Sequence, residues 1–158
     1  MASALNNVGL VLRAKGDYPG AAELHRQTLE IDRKVYGPVH AEVGGALNNL
    51  AFDLQKAGDL KGAEALLRES LAIYRQSYPQ GHVQIPTTEN LLGGCLTDMK
   101  RYAEAEPLLT SSYAVILEQF GPDHPRTQAA RGRVVRLYEA WGKPQKAAAY
   151  RPTEGGPR

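Results

Sequence analysis

Apolar and polar residues alternate along this chain with a helical period, and the alternation itself then repeats. Leu5, Val8, Gly9 and Leu12 stand at i, i+3, i+4 and i+7, one face of an α-helix. The stripe returns 42 residues on as Leu47, Leu50, Ala51 and Leu54, and nearly again as Leu92, Gly93 and Leu96. A second stripe follows each: Ala21, Leu24, His25, Thr28 and Ile31; Ala63, Leu66, Leu67, Ser70 and Ile73; Ala105, Leu108, Leu109, Ser112 and Val115. Between the stripes lie short polar turns: Lys15-Gly16-Asp17, Ala57-Gly58-Asp59, Lys100-Arg101 and Trp141-Gly142-Lys143. Glycine there can take the left-handed conformation that ends a helix. Pro19 and Pro144 fall near the start of a second helix, where a missing N–H costs nothing. Each unit thus reads as a helix–turn–helix hairpin. Its second helix is predicted at residues 18–35, 60–77 and 102–119, and its first helix at 40–57 and 124–140. Pro86 makes the remaining first helix either start near it or kink there.

The register is kept without a gap. Ala4-Leu5-Asn6-Asn7-Val8-Gly9 returns as Ala46-Leu47-Asn48-Asn49-Leu50-Ala51. A fixed period of this size marks a solenoid, in which each supersecondary unit stacks on its neighbours. The expected fold is all-α, a right-handed α-solenoid of antiparallel hairpins. One repeat domain covers residues 1–151, with repeats 3–44, 45–86, 87–128 and a partial unit 129–151, then a disordered tail 152–158. Ala21, Ala63, Ala105 and Ala147 recur at one position, and Gly9, Ala51 and Gly93 at another. Larger side chains there would hold paired helices beyond the ~8–10 Å of close packing. The linker Pro79-Gln80-Gly81-His82 departs from Gly37-Pro38 and Gly121-Pro122, so the second and third units are expected to join at an altered angle.

Leu5-x2-Val8-Gly9-x2-Leu12 with Ala21-x3-His25, and Leu47-x2-Leu50-Ala51-x2-Leu54 with Ala63-x3-Leu67, resemble the tetratricopeptide repeat. That unit is usually about 34 residues. The 42-residue unit, its Leu-Asn-Asn-Leu-Ala start and the Gly121-Pro122-Asp123-His124-Pro125 linker resemble the kinesin light chain type. The resemblance implies a curved stack with the first helix of every hairpin on its concave side. It further implies a role in protein–protein interaction, in which asparagines of that helix hold the backbone of a bound peptide.

Totals narrow the picture further. No apolar run approaches the ~18 residues of a membrane helix, and Met1-Ala2-Ser3-Ala4-Leu5 lacks the basic and apolar regions of a secretory signal. A cytoplasmic protein is expected. The single cysteine, Cys95, excludes an internal disulfide and reads as a reduced, incidental thiol. Net charge is +2, but it is uneven: from His124 onward eight Lys/Arg face two Asp/Glu. That basic end reads as a solvated cap, since no aromatic stacking set accompanies it. Both ends look cut, which makes the chain the expected C-terminal end of a longer array. Leu5, Val8 and Leu12 would then be partly exposed, and self-association through the terminal helices is anticipated.

Asn6, Leu10 and Arg13 share the face next to the first core stripe, as do Asn48, Phe52 and Gln55, then Asn90 and Thr97, then Arg136. Stacking would align Asn6, Asn48 and Asn90, with Asn7 and Asn49 beside them. An asparagine offers an acceptor and two donors, which suits the N–H and C=O of an extended peptide. It suits equally a hydrogen bond between adjacent helices that fixes their register. Phe52 is an anchor for a ligand or packs on the next helix; Arg13 and Arg136 suit an acidic ligand. His40, His82 and His124 recur at the period, too far apart to share a metal, and each is expected to satisfy backbone groups at a helix start. His25 reads as packing. There is no phosphate loop, no G-x-S-x-G elbow and no kinase signature. The expectation is a non-catalytic scaffold with no cofactor, binding a protein or peptide in the concave groove. Two rivals remain: an interaction or self-association module of a larger bacterial signalling protein such as a serine/threonine kinase or regulator, and a helical-repeat RNA binder using Arg131, Arg133, Arg136 and Lys143.

Overall fold

Successive helices pack on one another in chain order. The structure, a computed structural model, describes residues 1–151; the tail expected to be disordered lies outside the described residues. Among them are eight helices and no strand: α1 Ala2–Ala14, α2 Tyr18–Tyr36, α3 Ala41–Ala57, α4 Leu60–Ser77, α5 Gln84–Asp98, α6 Tyr102–Phe120, α7 Pro125–Ala140 and α8 Pro144–Tyr150. Each helix contacts mainly its neighbours in sequence, and α5 also touches α7. That nearest-neighbour pattern defines a solenoid of four hairpins, the last one shortened. No helix among the described residues is long and apolar enough to cross a membrane.

Local chemistry sets the boundaries. Asp17 and Asp59 cap α2 and α4 by accepting from the Gly20 and Gly62 N–H groups. Gly16, Gly58 and Gly142 end the first helices with φ of 83°, 96° and 71°. In the third hairpin Lys100 holds the same left-handed position, at φ 61°, where an L side chain is strained. α5 starts at Gln84, so Pro86 is its third residue and its missing N–H is one that no helix satisfies internally. His40, His82 and His124 accept through Nδ1 from the N–H two residues on. A second periodic residue supports them: Tyr36, Tyr78 and Phe120, each ending or following the previous helix, pack their rings on those imidazoles.

The core runs through the stack along Ala51, Ala63, Leu67, Leu92, Leu96, Ala105, Leu109, Val134 and Leu137. Gly93 allows the close approach within a hairpin, since a Cβ there would lie 2.6 Å from Leu109 Cγ. Gly9 does the same beneath His25. In α1, Val8 and Val11 are about half exposed, while Asp53, Cys95 and Leu137, one, two and three periods after Val11, are fully buried.

At one place the core encloses a fully buried carboxylate. His25 fills its bulky position, but it is more than packing: its Nδ1 lies 2.5 Å from Asp53 Oδ2, and Arg13 Nε donates to Asp53 Oδ1 at 2.6 Å. Burial opposes ionisation of Asp53, yet the hydrogen bonds from His25 and Arg13 and the Arg13 charge outweigh it and hold the carboxyl below its usual range. In the next repeat the place of Asp53 is taken by Cys95, whose thiol burial pushes up to about 11, far from the reactive range.

Candidate functional site

The first helices of the hairpins, α1, α3, α5 and α7, line one face. Residues of α3 and α7, two repeats apart, bound a common recess of about 300 Å³. That arrangement requires the face to be concave, with α5 at the bottom of the hollow. Phe52, Gln55 and Lys56 form one wall, and Gly132, Arg133 and Arg136 the other. Gly94 keeps the floor low: a Cβ there would sit 3.1 Å from Arg133 Cδ. Arg13 and Lys56 both approach the Phe52 ring, their charges 4.7 Å and 5.6 Å from its centre.

The recess is cationic. Arg136 bridges Asp98 at 2.8 Å and donates to the Gly94 carbonyl; Gln55 donates to the other oxygen of Asp98. Arg133 donates only to the neutral Asn90 Oδ1, at 3.0 Å. Among the described residues neither Arg133 nor Lys56 has a carboxylate within ion-pair distance. Burial, then the neighbouring Arg136 charge, weighs against the Arg133 cation. Beyond Arg133 lies a second, mostly apolar pocket between α5, α6 and α7, of about 180 Å³, lined by Leu91, Ile116 and Ala130.

The structure thus brings Phe52, Gln55 and Arg136 together and adds Lys56, Gly132 and Arg133. The asparagine column has a different place. Asn6 Oδ1 accepts from Asn49, Asn90 Oδ1 accepts from Arg133, and Asn48 donates to Thr88. These amides join one first helix to the next. Asn90 is only 1% exposed, and its amide also donates to Ser112. The buried Thr97 donates to the Gly93 carbonyl of its own helix. Asn90 and Thr97 are thus buried, and Asn90 reaches the face only through Arg133 and the edge of the apolar pocket. One amide oxygen of the column, Asn48 Oδ1, is buried without a partner among the described residues; the position that serves Asn6 and Asn90 holds Leu91 here. Arg13 is engaged with Asp53 and the Asn49 carbonyl. Asn7 and Leu10 are exposed on α1, outside the recess. Of the four cations of the RNA reading, Arg133 and Arg136 turn into the recess while Lys143 sits over the Trp141 ring.

A stack of antiparallel helical hairpins with a hollowed first-helix face belongs to the α-solenoid class. The sequence profile of the tetratricopeptide repeat family matches residues 1–76 and 84–150, and the chain belongs to that family. Among solved structures it is similar to the nearly identical TPR-like repeats of a kinesin light chain-like protein from Podosopora anserina. The TM-score is 0.81 and the identity 22%, covering 94% of this chain and 70% of that one. A point variant of the same protein gives the same values. BtubC (BKLC) from P. vanneervenii matches with a TM-score of 0.78 and 19% identity, over 94% of this chain and 59% of that one. No curated protein matches the sequence. These likenesses establish the fold, and the family is one whose members commonly mediate protein–protein contacts.

Proposed function

We propose that the chain is a non-catalytic interaction scaffold that holds an extended peptide on its concave face. An acidic group of the peptide meets Arg133, and an aromatic or apolar side chain rests against Phe52 or enters the apolar pocket beside Ile116. One observation carries this reading. Arg133 is a half-buried guanidinium whose only side-chain partner among the described residues is an amide, and it stands between two recesses with Lys56, which has no ion pair among those residues, opposite. A carboxylate arriving there forms the charge-assisted pair that the fold leaves unmade. The helices fix these groups in advance, which reduces the entropy lost on association.

Selection of random ten-residue peptides on the immobilised chain tests it. The expected outcome is enrichment of an Asp or Glu near an apolar residue, with about tenfold weaker binding to Arg133→Gln, the loss of roughly one charged hydrogen bond. Glutamine can still donate to Asn90, so the fold is retained. Selected peptides without acidic residues, or equal binding to Arg133→Gln, would contradict the reading.

A further inference from the structure

The apolar pocket at the junction of the third and fourth hairpins has a counterpart at the junction of the first and second, offset by two repeats. Ser3 stands for Thr87, Asn6 for Asn90, Asp32 for Ile116, Glu42 for Arg126, Gly45 for Ala129 and Asn49 for Arg133. At the intermediate junction the same place is plugged. Tyr74, one period after Asp32, is 2% exposed and packs its ring against Gly44, where a Cβ would come within 2.8 Å. The shorter Asp32 leaves the first junction open, as a recess of about 240 Å³.

Asp32 lines this recess and is only 8% exposed, yet among the described residues it has neither a hydrogen-bond nor an ion-pair partner. Glu42 lines the other side, also without an ion pair among the described residues. A buried carboxylate is ordinarily paired, because desolvation without compensation is costly. Burial, then the Glu42 charge, pushes the Asp32 carboxyl above its usual range. The remaining rim is set to accept as well as donate, with the Asn6 and Asn49 amides joined to each other and the Tyr36 ring at the edge.

We propose that this first-junction recess binds the cationic side chain of an arginine or lysine on a partner polypeptide, with Asp32 and Glu42 as paired acceptors. A guanidinium presents donors in a fork that two carboxylates can share. A divalent ion fits less well: it takes six or more oxygens, and no group of three metal-ligating side chains exists among the described residues. The site stands on its own observations and does not require Arg133 to be occupied. A peptide that used both recesses would carry its basic residue at the α1 end and its acidic residue at the α7 end.

The test uses the whole chain with ¹³C-labelled side-chain carboxyls, titrated separately with n-butylguanidinium, sodium and calcium chlorides at millimolar concentration. The expected result is a saturable shift of the Asp32 and Glu42 signals with n-butylguanidinium well beyond the sodium control. Asp32→Asn should weaken that binding at least fivefold while melting at or above the wild-type temperature, since it removes an unpaired buried charge. If Asp32→Asn melts lower, Glu42→Gln, on the exposed side, must show the same loss. Calcium shifting these signals at lower concentration than n-butylguanidinium would make this a metal site and overturn the proposal. Shifts no larger than those with sodium, or binding unchanged in both variants, would overturn it equally.

Discussion

At the first junction of the solenoid His25 meets Asp53 in the core, and Asp32 with Glu42 lines the recess above. At the third, the equivalent core positions hold Leu109 and Leu137, and Arg126 with Arg133 lines the recess. The backbone plan is the same, so the difference lies in what each junction does with polarity. In the first, core charge is matched by Arg13 and His25, while the recess charge is left unmatched. In the third, the core is apolar and the unmatched charge is cationic. Repeat geometry thus supplies equivalent pockets along one face, and single substitutions at recurring positions give each pocket its sign.

The largest test of this comparison removes the first junction's core carboxylate. Asp53→Ala leaves His25 and Arg13 without their acceptor and should cost about 3–5 kcal/mol in urea denaturation at neutral pH. Converting the set to the third junction's pattern, Arg13→Thr with His25→Leu and Asp53→Leu, should come close to wild type, since apolar residues of similar volume commonly equal a buried charged network. The two chains should part in acid. Because the folded state lowers the Asp53 pKa, its stabilisation is full above the ordinary aspartate value of about 4 and is lost as pH falls through the lower folded value. The wild type should therefore lose stability below about pH 4 relative to the triple variant.

A middle-sized effect concerns a feature the junctions share. His124→Ala removes an N-cap acceptor and the contact with Phe120, and should cost about 1–2 kcal/mol. His40→Ala, with its 3.2 Å cap and the Tyr36 stack, should match it in thermal denaturation. The 3.4 Å cap at His82 should make the cap's share smaller there. Unequal losses at His40 and His124 would show that the junctions differ in more than charge. The smallest effect sharpens the repeat plan itself. Lys100→Gly places glycine where the other three hairpins have it and should stabilise by about 1 kcal/mol by relieving a left-handed side chain.

The fold was legible because each hairpin buries one stripe per helix, and a stripe is visible in a single sequence. The predicted start of α4 at Leu60 and its end at Ser77 coincide with the structure, since Asp59 and Gly58 mark the turn chemically. The groove was legible only along each helix. Phe52, Gln55 and Arg136 follow from i, i+3 and i+4 spacing on the first-helix face, and the recess contains them. Arg133 and Lys56 were not read as part of it, because the hollow joins helices two repeats apart and no local period records that. The asparagines illustrate the same limit: their spacing showed that they align, but not that Asn6, Asn48 and Asn90 each hydrogen-bond to the next first helix. Asp32, Tyr74 and Ile116 were missed because each directly follows a stripe residue, Ile31, Ile73 or Val115, and lies buried just outside the counted face.

The account rests most on the concave face being the binding surface. Amide chemical-shift mapping of the whole chain with the best selected acidic peptide tests that directly. The predicted result is a cluster of perturbations at Phe52, Gln55, Lys56, Gly94, Gly132, Arg133 and Arg136, on both walls and the floor of the recess. Perturbations confined to the exposed surfaces of α2, α4 and α6 would place recognition on the opposite face and contradict it.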